Sequence, residues 1–250
     1  MPYLTAHLRT TNKMLFLRSL LFSIGMILAT IILATPCFLT ILLPHHWRYR
    51  YLHLWHRFVL WWLQVTCNIQ YEVEGLENIE GIESAIVFSR HESTWETLAL
   101  TNVLPLQTWL IKRELLWIPF FGWAIWVLEP IAINRKAGRK ALNQVITQGK
   151  QRLNKGRWVI TFPEGTRLQP TETKPFGIGG AMLAAKTGRP VIPVTHNAGE
   201  FWPKRRFLKQ PGIVKVVIGP VILTDGRKAS DINKEAETWM NEQRKKLKQT

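Results

Sequence analysis

The sequence predicts an α/β fold, a β-sheet with helices on its faces, attached to an N-terminal membrane-binding segment. Two observations lead there. Beyond Cys67, short β-rich apolar runs alternate with helical stretches, the pattern of a sheet flanked by helices. Ahead of them, Ser19 to Leu43 carries no charged residue, a run longer than the roughly 20 apolar residues that cross a bilayer. The break falls near Thr66, with a membrane-binding part over 1–66 and an α/β domain over 67–250.

The uncharged run does not read as a removable signal peptide. It is too long, no small-x-small site closes it, and Pro36 precedes Cys37. Pro36 would kink a helix, so the run either spans the bilayer or dips into one leaflet. Basic residues flank both ends, Arg9, Lys13 and Arg18 before it and Arg48 and Arg50 after it, and the positive-inside rule gives no orientation. Over Trp47 to Leu63 a helical wheel gathers Trp47, Tyr51, Leu54, Trp55, Phe58, Trp61 and Trp62 on one arc. Arg50, His53, His56 and Arg57 fall on the other. That is the composition of an interfacial helix, and a helix packed on the domain is the alternative. His45, His46, His53 and His56 have no carboxylate among them and do not make a metal site.

In the domain, strands are expected at Ile69 to Val73, Ala85 to Phe88, Thr108 to Ile111, Trp158 to Phe162, Val191 to Val194 and Ile213 to Ile218. Helices are expected at Trp95 to Leu104, Gly138 to Lys155, Gly179 to Thr187 and Asp231 to Lys248, with Asp231 as the last N-cap.

With 46% hydrophobic and 20% charged residues the chain is not a disordered segment. Its 33 Lys plus Arg against 17 Asp plus Glu leave a formal charge of +16, which calls for an anionic partner. Scattered basic residues beside a membrane segment argue against nucleic acid. Two cysteines make neither a disulfide framework nor a zinc site.

Two segments carry candidate chemistry. In Ser89-Arg90-His91-Glu92-Ser93-Thr94-Trp95-Glu96, His91 stands at a strand-to-helix turn, and Glu96 in the first helical turn could orient its ring as that of a base. Ser93 to Glu96 is also a capping box, so the two roles of Glu96 compete. In Phe162-Pro163-Glu164-Gly165-Thr166-Arg167, Gly165 permits a positive φ, and Arg167 offers a fork of donors suited to phosphate. An ordinary solvated turn is the alternative.

Together, His91-x-x-x-x-Glu96 and, about seventy residues later, Phe-Pro-Glu-Gly-Thr-Arg resemble the glycerolipid acyltransferases, the PlsC-like 1-acylglycerol-3-phosphate acyltransferases. Lys112-Arg113-Glu114-Leu115, Pro119-Phe120-Phe121-Gly122-Trp123, Ile133-Asn134-Arg135 and Val191-Ile192-Pro193-Val194 follow the family in order, and the likeness runs from about Tyr71 to Pro220. The family usually has Asp where Glu96 stands, and Asn and Gln where Arg90 and Glu92 stand. The resemblance implies a mixed β-sheet flanked by helices and an N-terminal two-helix membrane-binding motif. It implies acyl transfer from a thioester, acyl-CoA or acyl carrier protein, to the sn-2 hydroxyl of lysophosphatidic acid, in phospholipid biosynthesis, with no metal or other cofactor.

By the same resemblance His91 is the base and Glu96 its orienter. Lys112, Arg135 and Arg167 bind phosphate, while Glu164, Gly165 and Thr166 shape the acceptor site. Backbone N–H groups near a helix N-terminus are expected to hold the oxyanion. Both cysteines lie at the membrane end and Ser93 reads as a cap, so no covalent acyl-enzyme is expected. The partners are a lysophospholipid, the thioester donor and an anionic membrane, with the domain on the cytoplasmic face. Another lysophospholipid or a lyso-amino-acid lipid as acceptor, or an inactive membrane-surface binding protein, are the alternatives. Lys204, Arg205, Arg206 and Lys209, beside Phe201, Trp202, Phe207 and Leu208, read as a loop that touches headgroups, with an ordinary solvated loop as the alternative. Trp117, Pro119, Phe120, Phe121, Trp123 and Trp126 read as an acyl-chain channel, a lipid-dipping surface or ordinary core.

Overall fold

The computed structural model describes residues 2–247, with side chains from 12 to 134 and from 136 to 247. Helix α1 (Pro2–Ala34), a 3-10 segment (Thr35–Leu42) and helix α2 (His45–Cys67) form an N-terminal pair. Pro36 sits where the α-helix tightens into the 3-10 segment, as a residue without an N–H should. Asn68, left-handed at φ 54°, ends α2 and donates its N–H to the Gln64 carbonyl.

Strands β1 (Ile69–Glu74), β2 (Ile86–Ser89), β3 (Gln107–Lys112), β4 (Ile131–Ile133), β5 (Trp158–Thr161), β6 (Val191–His196) and β7 (Gly212–Ile218) form one sheet in the order β1-β7-β6-β2-β5-β3-β4. Strands β6, β2, β5, β3 and β4 run parallel; β7 is antiparallel to β6 and parallel to β1, so the sheet is mixed. The central strands β2, β5 and β6 are buried throughout, which is why they read as unbroken apolar runs. Strand β4, three residues long, carries no periodicity of its own and exists through its pairing with β3, Leu110 opposite Ile131.

Helices α3 (Trp95–Val103), α4 (Phe121–Val127), α5 (Arg139–Leu153), α6 (Gly179–Thr187), α7 (Ala198–Phe201) and α8 (Ala229–Leu247) complete the chain. Alternate residues of β2 serve two cores. Val87 joins the core that holds Phe22, Leu63 and Trp95 on one face, while Ile86 and Phe88 join the core that holds Val145, Leu183 and Met240 on the other. Helix α8 begins at Ala229, so Asp231 lies in its first turn and is not its N-cap; Lys248 lies outside the described residues.

Four expectations for membrane-facing side chains need correction. Helix α2 is not an interfacial helix with all its aromatics outward: Leu52, Val59 and Leu63 are buried, and Trp55 and Trp62 turn toward α1, donating to the Thr30 hydroxyl at 3.1 Å and the Leu21 carbonyl at 3.2 Å. Trp47, Leu54 and Trp61 stay exposed. His56, expected on the wet face, is half-buried beside the Leu52 carbonyl, and burial pushes its imidazole down to about 4.

Lys209 does not reach for headgroups. It is buried, its ammonium lies about 5 Å from the ring centres of Phe22, Trp202 and Phe207, and it donates to the Phe207 carbonyl at 2.9 Å. Its backbone N–H donates to the Ser19 hydroxyl. The residue joins α1 to the domain because a cation among aromatic faces keeps part of the stabilisation it loses with water. Trp202, expected in the same loop, is buried.

Candidate active site

The parallel strands deliver the singled-out residues to one edge. His91 follows β2, the Glu164 turn follows β5, Lys112 ends β3, and Asn134-Arg135 follow β4, all at the C-terminal ends. Lys112 and Thr166 are exposed there, and Arg167 is half-buried with its carbonyl accepting from Lys204 Nζ. The Arg135 side chain lies outside the described residues.

At the centre, His91 Nδ1 is 2.7 Å from Glu96 Oε1. Glu96 also accepts from the backbone N–H of Glu92 at 3.0 Å and of Ser93 at 2.9 Å, and is fully buried. An ionised carboxylate accepts only, so Nδ1 of the neutral ring donates and Nε2 carries the lone pair. Nε2 has no partner among the described residues. Burial alone would raise the Glu96 carboxyl, but the bond from His91, the nearby His196 and the Ser93 amide hold it below its ordinary value. The ring of His91 stacks on Phe162, centroids 3.9 Å apart and planes 14° from parallel.

The capping and orienting roles of Glu96 do not compete after all. The carboxylate takes the Ser93 amide as a capping box requires and the imidazole at the same time, while Ser93 Oγ accepts from the Trp95 amide at 3.1 Å. The longer Glu side chain makes this double contact from the first turn of α3. The same arrangement narrows where backbone N–H groups remain for an oxyanion. The amides of Glu92, Ser93 and Trp95 are already engaged by Glu96 and Ser93, so these three N–H groups at the start of α3 are not free to hold an oxyanion.

Arg90 and Glu92 form a buried ionic frame behind the histidine. Arg90 Nε donates to Glu92 Oε1 at 2.5 Å, its Nη1 lies 3.4 Å from Glu164 Oε1, and its Nη2 reaches the Glu172 carbonyl at 2.7 Å. Arg244 of α8 reaches Glu92 from the other side at 2.8 Å and pairs with Glu200 at 2.9 Å. Glu164 Oε2 accepts the His91 backbone N–H at 2.9 Å, tying the two motifs together. Burial pushes the Glu164 carboxyl up to about 8, opposed by Arg90 and by the His91 amide. Gly165 has φ +70°, a conformation that suits a residue without Cβ.

Residues 70–197, half of the chain, match the family model described as Acyltransferase. This chain belongs to the Acyltransferase family. The acyltransferase is 44% identical to the 1-acyl-sn-glycerol-3-phosphate acyltransferase of Pseudomonas aeruginosa, over 82% of this chain and 81% of that one. It is 32% identical to the mouse 1-acyl-sn-glycerol-3-phosphate acyltransferase alpha, over 66% of this chain but 59% of the longer mouse protein. Its fold is that of the 1-acyl-sn-glycerophosphate (LPA) acyltransferase PlsC from Thermotoga maritima, with TM-score 0.68, 25% identity, and 91% of this chain and 98% of that chain covered.

Several groups at the acyltransferase site escaped the sequence. Phe162 gives no local sign of its role, because its stacking needs β5 beside β2. Arg244 lies in a basic, solvent-patterned helix with no local sign of an internal partner. His196, at the end of β6, has its Nε2 3.0 Å from the Arg90 carbonyl and 4.0 Å from Glu96 Oε2. Burial pushes that imidazole below its ordinary range against the pull of Glu96 and Glu92. The one available signal was the unusual pair of charges, Arg90 and Glu92, on a turn about to enter the core.

Proposed function

We propose that the protein acylates the sn-2 hydroxyl of lysophosphatidic acid, giving phosphatidic acid, with His91 as general base. The observation that carries this is the imidazole held through Nδ1 by a buried carboxylate, with Nε2 left for a substrate proton at the edge where the strands end. The hydroxyl oxygen bonds to the thioester carbonyl carbon as Nε2 takes its proton. The tetrahedral intermediate then collapses, the C–S bond breaks, and the imidazolium returns the proton to the leaving thiolate.

Glu96 stabilises the transient imidazolium. Lys112, Arg135 and Arg167 contact phosphate, while Glu164, Gly165 and Thr166 shape the acceptor pocket. Acyl-CoA or acyl carrier protein supplies the thioester, with no metal or other cofactor. Transfer is direct, because the candidate nucleophiles are occupied or enclosed: Ser93 Oγ donates to the Trp202 carbonyl at 2.7 Å, and Cys37 and Cys67 are buried. The P. aeruginosa and mouse relatives, named for this acceptor, support the reading. Glu96 no longer motivates the inactive alternative, since it makes the contact that a base requires.

The membrane reading rests on α1. Phe22, Ala29 and Ala34 face the protein, while Leu17, Leu21, Ile24, Leu28 and Ile32 are exposed on the opposite stripe. The stretch Asn12–Leu42 is long and apolar enough to cross a membrane. Held against the domain along one side, it offers its outer stripe to lipid, so residues 1–66 anchor and 67–250 catalyse, on the cytoplasmic face of an anionic membrane. Nucleic acid has no part in this reading.

The test is acyl transfer from a thioester to lysophosphatidic acid by detergent-purified protein, with His91→Ala as control. Phosphatidic acid from wild type, reduced about 10²- to 10⁴-fold in a folded His91→Ala variant, is expected. Equal rates in the two proteins would overturn the assignment.

A further inference from the structure

The parallel strands have a second edge, and it is also built. Glu129 precedes β4 and Arg157 precedes β5, so both lie at the N-terminal ends, with His91 and Glu164 at the opposite ends. Strand β5 alone is four residues, and at about 3.3 Å per residue it sets the edges roughly 13 Å apart.

Three guanidinium groups meet one carboxylate there. Glu129 Oε2 takes Arg157 Nη1 at 3.0 Å and lies 3.5 Å from Arg152 Nη1, while Oε1 lies 3.4 Å from Arg48 Nη1. Arg48 Nε is fixed by the Leu43 carbonyl at 2.8 Å and Arg152 Nε by the Glu129 carbonyl at 3.1 Å. Three cations and one anion leave two positive charges. The Nη2 groups of Arg48 and Arg152 have no partner among the described residues. Glu129 itself has φ +53°, a costly conformation for a residue with Cβ and one retained where the surroundings impose it.

Beside this cluster is an open cleft of about 500 Å³, lined by Arg48, Glu129 and Arg152 together with Ile41, Leu116 and Trp126. Ile41 belongs to the apolar stretch Asn12–Leu42. The neighbouring Leu39, Leu42, Trp47, Trp117 and Trp126 are exposed, an apolar and tryptophan-rich rim of the kind found at headgroup level. Cationic and apolar side chains thus line one cleft beside the end of the apolar stretch.

We propose that this cleft is a second anionic-phospholipid site, separate from the catalytic one. Arg48 and Arg152 grip a headgroup phosphate, and the acyl chains leave over Ile41 and Trp126. Glu129 and Arg157 hold the two guanidinium groups in place before the lipid arrives. The fork geometry of arginine suits phosphate oxygens, and the two residual positive charges suit an anion.

Native mass spectrometry of the full-length protein in neutral detergent, titrated with dioctanoyl phosphatidic acid, reads the site directly. Wild type is expected to bind two molecules and Arg48→Gln/Arg152→Gln one, with the second binding event weakened at least tenfold. Acyl transfer in neutral micelles should be unchanged, which separates this site from the catalytic assignment. Inorganic phosphate separates lipid from free anion, since Trp126→Ala should weaken dioctanoyl phosphatidic acid while displacement by millimolar phosphate stays poor. If the double variant does not fold, Arg152→Gln alone serves, because Arg157 still neutralises Glu129. Unchanged stoichiometry, loss of acyl transfer in the variant, or phosphate competing as well as the lipid would each overturn the proposal.

Discussion

Replacing Glu96 by Gln isolates what its charge does for His91. Three donors converge on Oε1, His91 Nδ1 at 2.7 Å and the Ser93 and Glu92 amides at 2.9 and 3.0 Å, whereas Oε2 meets only the Ser93 amide at 3.1 Å and lies 4.0 Å from His196 Nε2. The new amide therefore places its carbonyl at Oε1 and its NH2 at Oε2. Tautomer and ring orientation survive, and the charge is lost. A hydrogen bond to a charged partner contributes about 1.5–3 kcal/mol against about 1 for a neutral one, so the transition state loses roughly 0.5–2 kcal/mol. That corresponds to a roughly 2- to 30-fold fall in kcat, short of the His91→Ala loss. The NH2 facing the Ser93 N–H costs about 1 kcal/mol of stability, or about 2–4 °C in Tm for a chain of this size. The assay is thiol release from the acyl donor with lysophosphatidic acid at saturation, beside a thermal melt. A kcat within twofold of wild type, with Tm lowered, would show that the carboxylate serves only the helix cap. A folded Glu96→Gln as inactive as His91→Ala would show that the amide does not sit as argued.

The ionic frame and the motif turn give two further expectations. The Glu164 carboxyl is held up at about 8, above its unfolded value, so the folded state binds its proton more tightly. Its contribution to stability is full below the unfolded pKa and is lost as pH rises through 8. Tm of wild type should therefore fall relative to Glu164→Gln between pH 5.5 and 9, and the opposite trend in paired melts would mean an ionised Glu164 stabilised by Arg90. Arg244→Met leaves buried Glu92 to Arg90 and the Gly199 amide alone, costing about 3 kcal/mol or about 6–12 °C. Glu92→Gln/Arg244→Met should recover more than half of that loss, and a double variant no more stable than the single would show that no charge is left stranded.

Much of the domain could be read along the chain because its central strands are buried on both faces. Such strands must be apolar without interruption, and β2, β5 and β6 stand out as such runs; each helix behind them shows its own period or cap. Strand β4 and helices α4 and α7 did not stand out, since three to seven residues make little periodicity and are stabilised by neighbours. The split of α2 into core-facing and exposed aromatics was likewise invisible, because hydrophobicity alone does not say whether a tryptophan meets protein or lipid.

The sequence by itself determined the chemical parts: a histidine five residues before a carboxylate, a Pro-Glu-Gly-Thr-Arg turn, an uncharged span and an excess of positive charge. Those are local facts of residue type and spacing, and they were enough to name the family. Only the tertiary structure decided how the parts are joined. It let one carboxylate cap a helix and hold an imidazole, placed Phe162 under that ring, and brought Arg244 from α8 to Glu92. It also turned Lys209 from the surface into a cage of rings against α1. The physical reason is common to the last three. Hydrogen bonds and charge pairs act over a few ångströms in space, and residues 44, 71 or 152 positions from their partners carry no trace of them in local pattern.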